Sequence, residues 1–192
     1  EGRWPAKDAL AFKRPGDRVR IRIDGEYDAL TFACWVKVDG LHRYNALLLT
    51  DGYESGEPHW QILEDGRLMF SIAQADPSDP RRNLNQIHHS PVVFTRSNLG
   101  RWHHLAVTYD NHNGRTEQFL DGRKVASGIP TTHHSGRKVI FGACELGNWG
   151  LPAQGNAFPI RNLNGSLDEF AIYSAALTER DIQKMFEAGK PE

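Results

Sequence analysis

The sequence is short of cysteine, of segregated charge and of long apolar runs, and each shortage excludes something. Its two cysteines, Cys34 and Cys144, stand in different apolar stretches of a 192-residue chain. Two thiols so far apart make no zinc site by themselves. A bridge between them would require neighbouring strands with facing Cβ atoms; the other reading is two small buried thiols. Lysine and arginine number 23 against 24 acidic residues, mixed along the chain, for a formal net charge of −1. Nucleic-acid binding needs a basic patch to neutralise phosphates, so no nucleic-acid partner is expected. No run approaches the roughly 20 apolar residues of a membrane helix, and no signal-peptide pattern is present. The chain begins at Glu1 rather than Met. We therefore expect a processed or excised piece, in contact with a membrane only through a segment outside this chain.

Catalytic and metal motifs are also missing. A strand-borne metal site would want His-x-His, which does not occur. The pairs His103-His104, His88-His89 and His133-His134 are adjacent in sequence, and adjacent strand residues point to opposite faces. His88-His89 and His133-His134 fall in polar stretches that read as turn-rich. There is no Gly-x-Ser-x-Gly nucleophile elbow and no local Cys-His signature.

What is present is the grammar of antiparallel strands. From Trp102 to Asp110, Leu105, Val107 and Tyr109 share one face while His104, Ala106 and Thr108 share the other. Asn113-Gly114 predicts a two-residue hairpin in which both positions take φ > 0. A strand over Thr116–Leu120 follows, then an Asp121-Gly122 turn and a third strand from Arg123 to Ala126. "DRVRIRID" alternates strictly, with Val19, Ile21 and Ile23 inward and Arg18, Arg20 and Arg22 outward. "LTFACWVKV" is apolar on both faces, as a central strand would be. "HWQILEDGRLMFSI" reads as a hairpin turning at Asp65-Gly66. With "RKVIFGAC" and "GSLDEFAIY" there are about ten strand candidates, which argues for an all-β, two-sheet antiparallel jelly-roll sandwich.

One helix is expected, near the C-terminus, in "ALTERDIQKMFEAGKP". Thr178 suits the N-cap and Asp181 the third helical position, close to a capping box. Leu177 and Ile182 fit a hydrophobic staple, and Ile182, Met185 and Phe186 form a docking face. Gly189 suits C′, and Pro191 forbids continuation. With no internal repeat and no linker, residues 1–192 read as one domain.

The ordered motifs "FACWVKVDG", "GRWHHLAVTYDNHNG", "QFLDGRKV" and "NGSLDEFAIYSAALTERDIQKMFEAG" resemble the laminin-G-like jelly roll of the concanavalin A-like lectin/glucanase superfamily. "RYNALLLTDGYESGEPHWQI" and "ELGNWGLP…PIRNLNG" resemble modules attached to bacterial FecR-type, anti-sigma-like regulators. The resemblance implies a periplasmic or extracellular module that binds glycan or extracellular protein. It also implies a structural calcium, with Asp168 in the position of the family's carboxylate ligand and Asp17, in "RPGDR", as a second. The alternative for Asp168 is a hairpin cap or an ion pair. The superfamily's hydrolases resemble Glu-x-Asp-x-x-Glu at their paired carboxylates. That motif is absent, so no enzyme is expected.

A fold of this kind does not by itself assign function. The long loops 50–60 and 145–162 carry Gly, Pro and aromatics, and long loops on a rigid sandwich are where function concentrates. Tyr53, Trp60, Trp149 and Phe158 offer stacking faces. Glu57, His59, Asn148, Gln154 and Asn156 offer the donors and acceptors that sugars require. The structural alternative is that Trp60 and Trp149 plug the ends of the sandwich. The Arg18, Arg20, Arg22 row is either a stripe for acidic polysaccharide or a solubilised outer strand. The expected function is carbohydrate recognition within a FecR-like regulator. The alternative is a protein-interaction or spacer domain of the same regulator, with glycoside hydrolysis third.

Overall fold

The computed structural model describes residues 2–76, 78–79, 84–129, 138–149 and 161–191. Twelve strands among them form two six-stranded sheets. The first has the order β1 (Leu10–Phe12), β12 (Asn164–Tyr173), β3 (Ala29–Gly40), β8 (Trp102–Asp110), β9 (Arg115–Leu120) and β10 (Arg123–Gly128). The second has the order β2 (Val19–Tyr27), β11 (Val139–Leu146), β4 (Tyr44–Thr50), β5 (Pro58–Leu63), β6 (Arg67–Ile72) and β7 (Gln86–Val92). Neighbouring strands are antiparallel throughout. This is the expected jelly-roll sandwich.

The core lies between the sheets and is built by alternation. In the second sheet, Val19, Leu146, Leu48, Trp60, Phe70 and His88 are paired strand to strand across all six strands. All except His88 belong to the core or pack against it. Phe32 of β3 meets this row from the opposite sheet, with ring centroids 5.9 Å from Trp60 and 6.3 Å from Phe70. Burial of these large rings is the main driving force for the fold. The adjacent row, one residue along every strand, must face outward. It reads Arg20, Glu145, Leu49, His59, Ser71, Ile87.

One of the two expected tight turns departs from expectation. At Asp121-Gly122 both residues have positive φ, +49° and +75°, as a tight hairpin of mirror-image type requires. At Asn113-Gly114 only Gly114 is positive. Asp110 caps this longer turn by accepting from His112 N and Asn113 Nδ2 at 2.9 and 3.0 Å, and the side-chain caps remove the need for a second left-handed residue. His88 and His89 belong to strand β7 rather than to a turn. The strand is obscured in the sequence because Ile87 faces out while His88 faces in, reversing the usual polarity.

The helix α1 spans Glu179–Gly189, with Thr178 as N-cap and a complete Thr178–Asp181 capping box. Ile182 is fully buried against Ala33, Ala106 and Phe119, with Leu177 and Met185 packed beside it. Phe186 stacks on Trp35 at 5.6 Å. Gly189 is the last helical residue rather than C′, and Lys190 is the C-cap. A Cβ at Gly189 would come within 2.7 Å of Trp35 Nε1, so close packing rather than a left-handed turn explains this glycine. Cys34 and Cys144 are free and buried in the core, and burial pushes the Cys144 thiol up to about 12.

Candidate functional site

The outward row of the second sheet forms the floor of a groove with a volume of about 810 Å³, within the usual range for small-ligand sites. Each position follows from strand parity. His59 and Gln61 of β5 face the groove because Trp60 and Ile62 face the core. Tyr53 and Trp149, from the loops after β4 and β11, close over the floor.

The floor is held rigidly. His59 Nε2 approaches Thr50 O at 3.1 Å, and Trp149 Nε1 donates to the same carbonyl at 2.8 Å. A carbonyl only accepts, so Nε2 carries the imidazole proton. Burial depresses the His59 pKa to about 3, which makes this ring neutral at physiological pH. Tyr53 lies on His59 with centroids 4.1 Å apart and donates from its hydroxyl to Ser71 Oγ at 2.8 Å. Gln61 is 1% exposed; its amide nitrogen reaches Met69 Sδ at 3.5 Å, while its Oε1 is buried with no partner among the described residues.

Charge is concentrated at the β2–β11 side. Glu145, 2% exposed, accepts from Arg18 Nη1 at 3.0 and 2.9 Å and from Arg20 Nη1 at 2.6 Å. Arg20 Nη2 also donates to Asp51 at 2.5 Å. The arginine row of β2 is thereby divided. Arg18 and Arg20 form the charged wall of the groove, whereas among the described residues Arg22 pairs with exposed Asp24 at 2.8 Å. Beside the end of β11, Arg161 is half-buried against two rings, its guanidinium carbon 4.4 Å from the Tyr44 ring centroid and 4.6 Å from that of Trp149.

The structure assembles only part of the expected site. Tyr53, His59 and Trp149 line the groove together. Trp60 does not: it is fully buried on the core face, and the parity that brings His59 out turns Trp60 in. Asn148 is also fully buried. Its Nδ2 donates to Pro15 O and Asp17 O at 2.7 and 3.0 Å, and its Oδ1 accepts from Trp149 N at 2.8 Å, so it pins the β1–β2 turn. Glu57 accepts from Glu54 N at 2.6 Å and closes its own loop outside the groove lining. Asn156, Gln154, Phe158 and His133-His134 lie outside the described residues. Arg161, Tyr44, Gln61, Asp51 and Glu145 join the site although none of them stands among the expected ligand residues. The alternation in "HWQIL" could have shown Gln61 beside His59; nothing local marks Arg161, which depends on two aromatics from distant segments.

Asp17 and Asp168 are not brought together. Leu10 pairs with Leu167 and Phe12 with Gly165, so β1 runs away from Asp168 on its way to Asp17. Asp17 accepts from Lys13 N and Arg14 N at 2.8 Å each. Asp168 pairs with Lys7 Nζ at 3.2 Å, and its neighbour Glu169 binds Arg3 and Lys7 at 2.6 Å each. Calcium wants six to eight oxygens; Asp168 Oδ1 already carries the Lys7 ammonium, Asp17 is occupied by two backbone N–H groups elsewhere, and the one buried oxygen left without a partner among the described residues, Asp168 Oδ2, is far short of that shell. Among the described residues no three His, Cys, Asp or Glu side chains are grouped to hold a metal. The residues present do not fit a calcium site at this position.

A family model described as Laminin_G_3, concanavalin A-like lectin/glucanases superfamily, matches residues 19–183. A 101-residue stretch, 50% of this chain, is 29% identical to adhesion G protein-coupled receptor D2 of Homo sapiens and spans 10% of that receptor. A Bacteroides ovatus protein to which carbohydrate binding has been ascribed superposes with a TM-score of 0.64 at 19% identity, over 92% of this chain and 46% of that one. A heptameric SAP-like pentraxin from Limulus polyphemus superposes with a TM-score of 0.61 at 16% identity, over 95% and 82% of the two chains. The botulinum neurotoxin serotype D binding domain gives 0.64 at 13% identity, over 93% and 42%. The chain thus spans less than half of the Bacteroides protein and a tenth of the receptor. At these identities the structural likeness is one of fold.

Proposed function

The chain belongs to the Laminin_G_3 family of the concanavalin A-like lectin/glucanases superfamily, and from that premise we propose that it is a non-catalytic module that recognises carbohydrate in the groove of its second sheet. The observation that carries this reading is a preformed, polar floor. His59, Tyr53 and Trp149 are locked by their own hydrogen bonds, while the buried Gln61 Oε1 lacks a partner among the described residues. Fixed polar groups beside aromatic rings are what sugar hydroxyls require, because the ordering cost is met before the ligand arrives. The carbohydrate binding ascribed to the Bacteroides ovatus relative agrees with this reading.

The arrangement does not suit glycoside hydrolysis. That reaction places the scissile bond between two carboxylates. Asp51 and Glu145 line the groove, but the Arg20 guanidinium stands between them and bonds to both. The resemblance of "RYNALLLTDGYESGEPHWQI" to FecR-attached modules supports a place in a larger regulator, in the periplasm or outside the cell. The test is a glycan array probed with wild type and Trp149→Ala. Sugar-dependent signal that disappears in the variant, with the unfolding midpoint retained, supports the reading. Absence of signal for every glycan from the wild type rejects it in favour of protein docking or a spacer role.

A further inference from the structure

The groove is lined by three arginines and two carboxylates, and its histidine is neutral. Arg18 and Arg20 are both bound to Glu145, and Arg20 also to Asp51. Arg161 is different. Among the described residues its guanidinium makes no ion pair or hydrogen bond, and its Nε is buried without a partner. Burial lowers its pKa from the ordinary arginine value, although an arginine remains charged at neutral pH. Placing a cation out of water costs free energy that pairing normally offsets. Here the compensation among the described residues is the π faces of Tyr44 and Trp149, which repays part of it. The rings also fix the plane of the guanidinium fork, which then meets a planar or tetrahedral anion with parallel hydrogen bonds.

We propose that the groove selects acidic carbohydrate, with Arg161 as the anchor for a ligand carboxylate or sulfate. The proposal rests on the carbohydrate reading above and adds the chemical class of sugar. It moves acidic-sugar recognition from the β2 arginine row, where the charges are already neutralised, to Arg161 beside Tyr44 and Trp149.

The test uses an array of matched oligosaccharides in neutral, uronate-bearing and sulfated forms, probed with wild type, Arg161→Gln and Arg161→Lys. A charge-assisted hydrogen bond to a ligand anion predicts acidic forms bound roughly tenfold to a hundredfold more tightly than neutral ones. Arg161→Gln should bring that ratio close to one, and Arg161→Lys should leave an intermediate ratio, since it keeps the charge but not the fork. Urea midpoints close to wild type establish that the variants are folded. The uronate and sulfate arms identify which anion the site takes. Equal binding of neutral and acidic forms, or an unchanged ratio in Arg161→Gln, overturns the acidic assignment while leaving carbohydrate recognition standing. Binding to no member of the array overturns both.

Discussion

Asn148 reads in the sequence as a residue that holds ligand and is found holding the fold, which makes Asn148→Ala a decisive perturbation. The side chain is fully buried and makes three hydrogen bonds: two from Nδ2 to Pro15 O and Asp17 O, one from Trp149 N to Oδ1. Each is worth about 1 kcal/mol net, and more where the abandoned partner stays buried. Asp17 keeps its own bonds to Lys13 N and Arg14 N, so the turn persists and water reaches some of the freed carbonyls. The expected loss is about 2–3 kcal/mol. With a urea m-value of about 2–3 kcal/mol/M, the midpoint should fall by about 1 M with m unchanged. Asn148→Asp should cost more than alanine, because it removes both donated bonds and places a carboxylate against two carbonyl oxygens. Arg18 follows this turn directly, so loosening it also weakens the pairing with Glu145 on the groove wall. Urea unfolding followed by tryptophan fluorescence reads the effect. An Asn148→Ala midpoint equal to wild type, with glycan binding lost, would refute the structural role and restore Asn148 to the ligand site.

Acid should destabilise the fold through its buried histidines. Burial holds His59 near pKa 3 and His104 near 4, while both titrate near 6.5 when unfolded. Between those values the unfolded chain binds more protons, so stability decreases as pH falls from 6.5 towards 4, by at most about 1.4 kcal/mol per pH unit for each histidine. Urea midpoints at pH 7, 6 and 5 should show this, with a shallower slope in His59→Gln; a flat profile contradicts it. Gly147→Ala should lose about 2–4 kcal/mol, since φ is +73° and a Cβ would lie 2.2 Å from Phe12 Cδ1, combining backbone strain with overpacking; a midpoint within experimental error of wild type in urea denaturation would count against it. Thr178→Ala removes the capping box and should cost about 1 kcal/mol, read as a drop in thermal midpoint; an unchanged value would show that packing of Ile182 alone sets the helix start.

Period-two alternation and turn chemistry in the chain are enough to specify the class of fold. "DRVRIRID" places Val19, Ile21 and Ile23 inward, and Thr178 with Asp181 marks the start of the only long helical pattern, because strand parity and helix capping act between residues close in sequence. The same parity in "HWQIL" separates His59 from Trp60; it is legible in those five letters alone, although the chemistry of both side chains suits a sugar. The rest is decided by contacts between segments far apart in the chain. Asn148 reads as an exposed loop donor until the β1–β2 turn is brought to it from more than a hundred residues away. Arg18 and Arg20 read as a solvated stripe until β11 lays Glu145 beside them. Arg161 gains its character from the rings of Tyr44 and Trp149, neither adjacent to it in sequence. Local rules choose which face a side chain takes; only the pairing order of the strands chooses what it meets there.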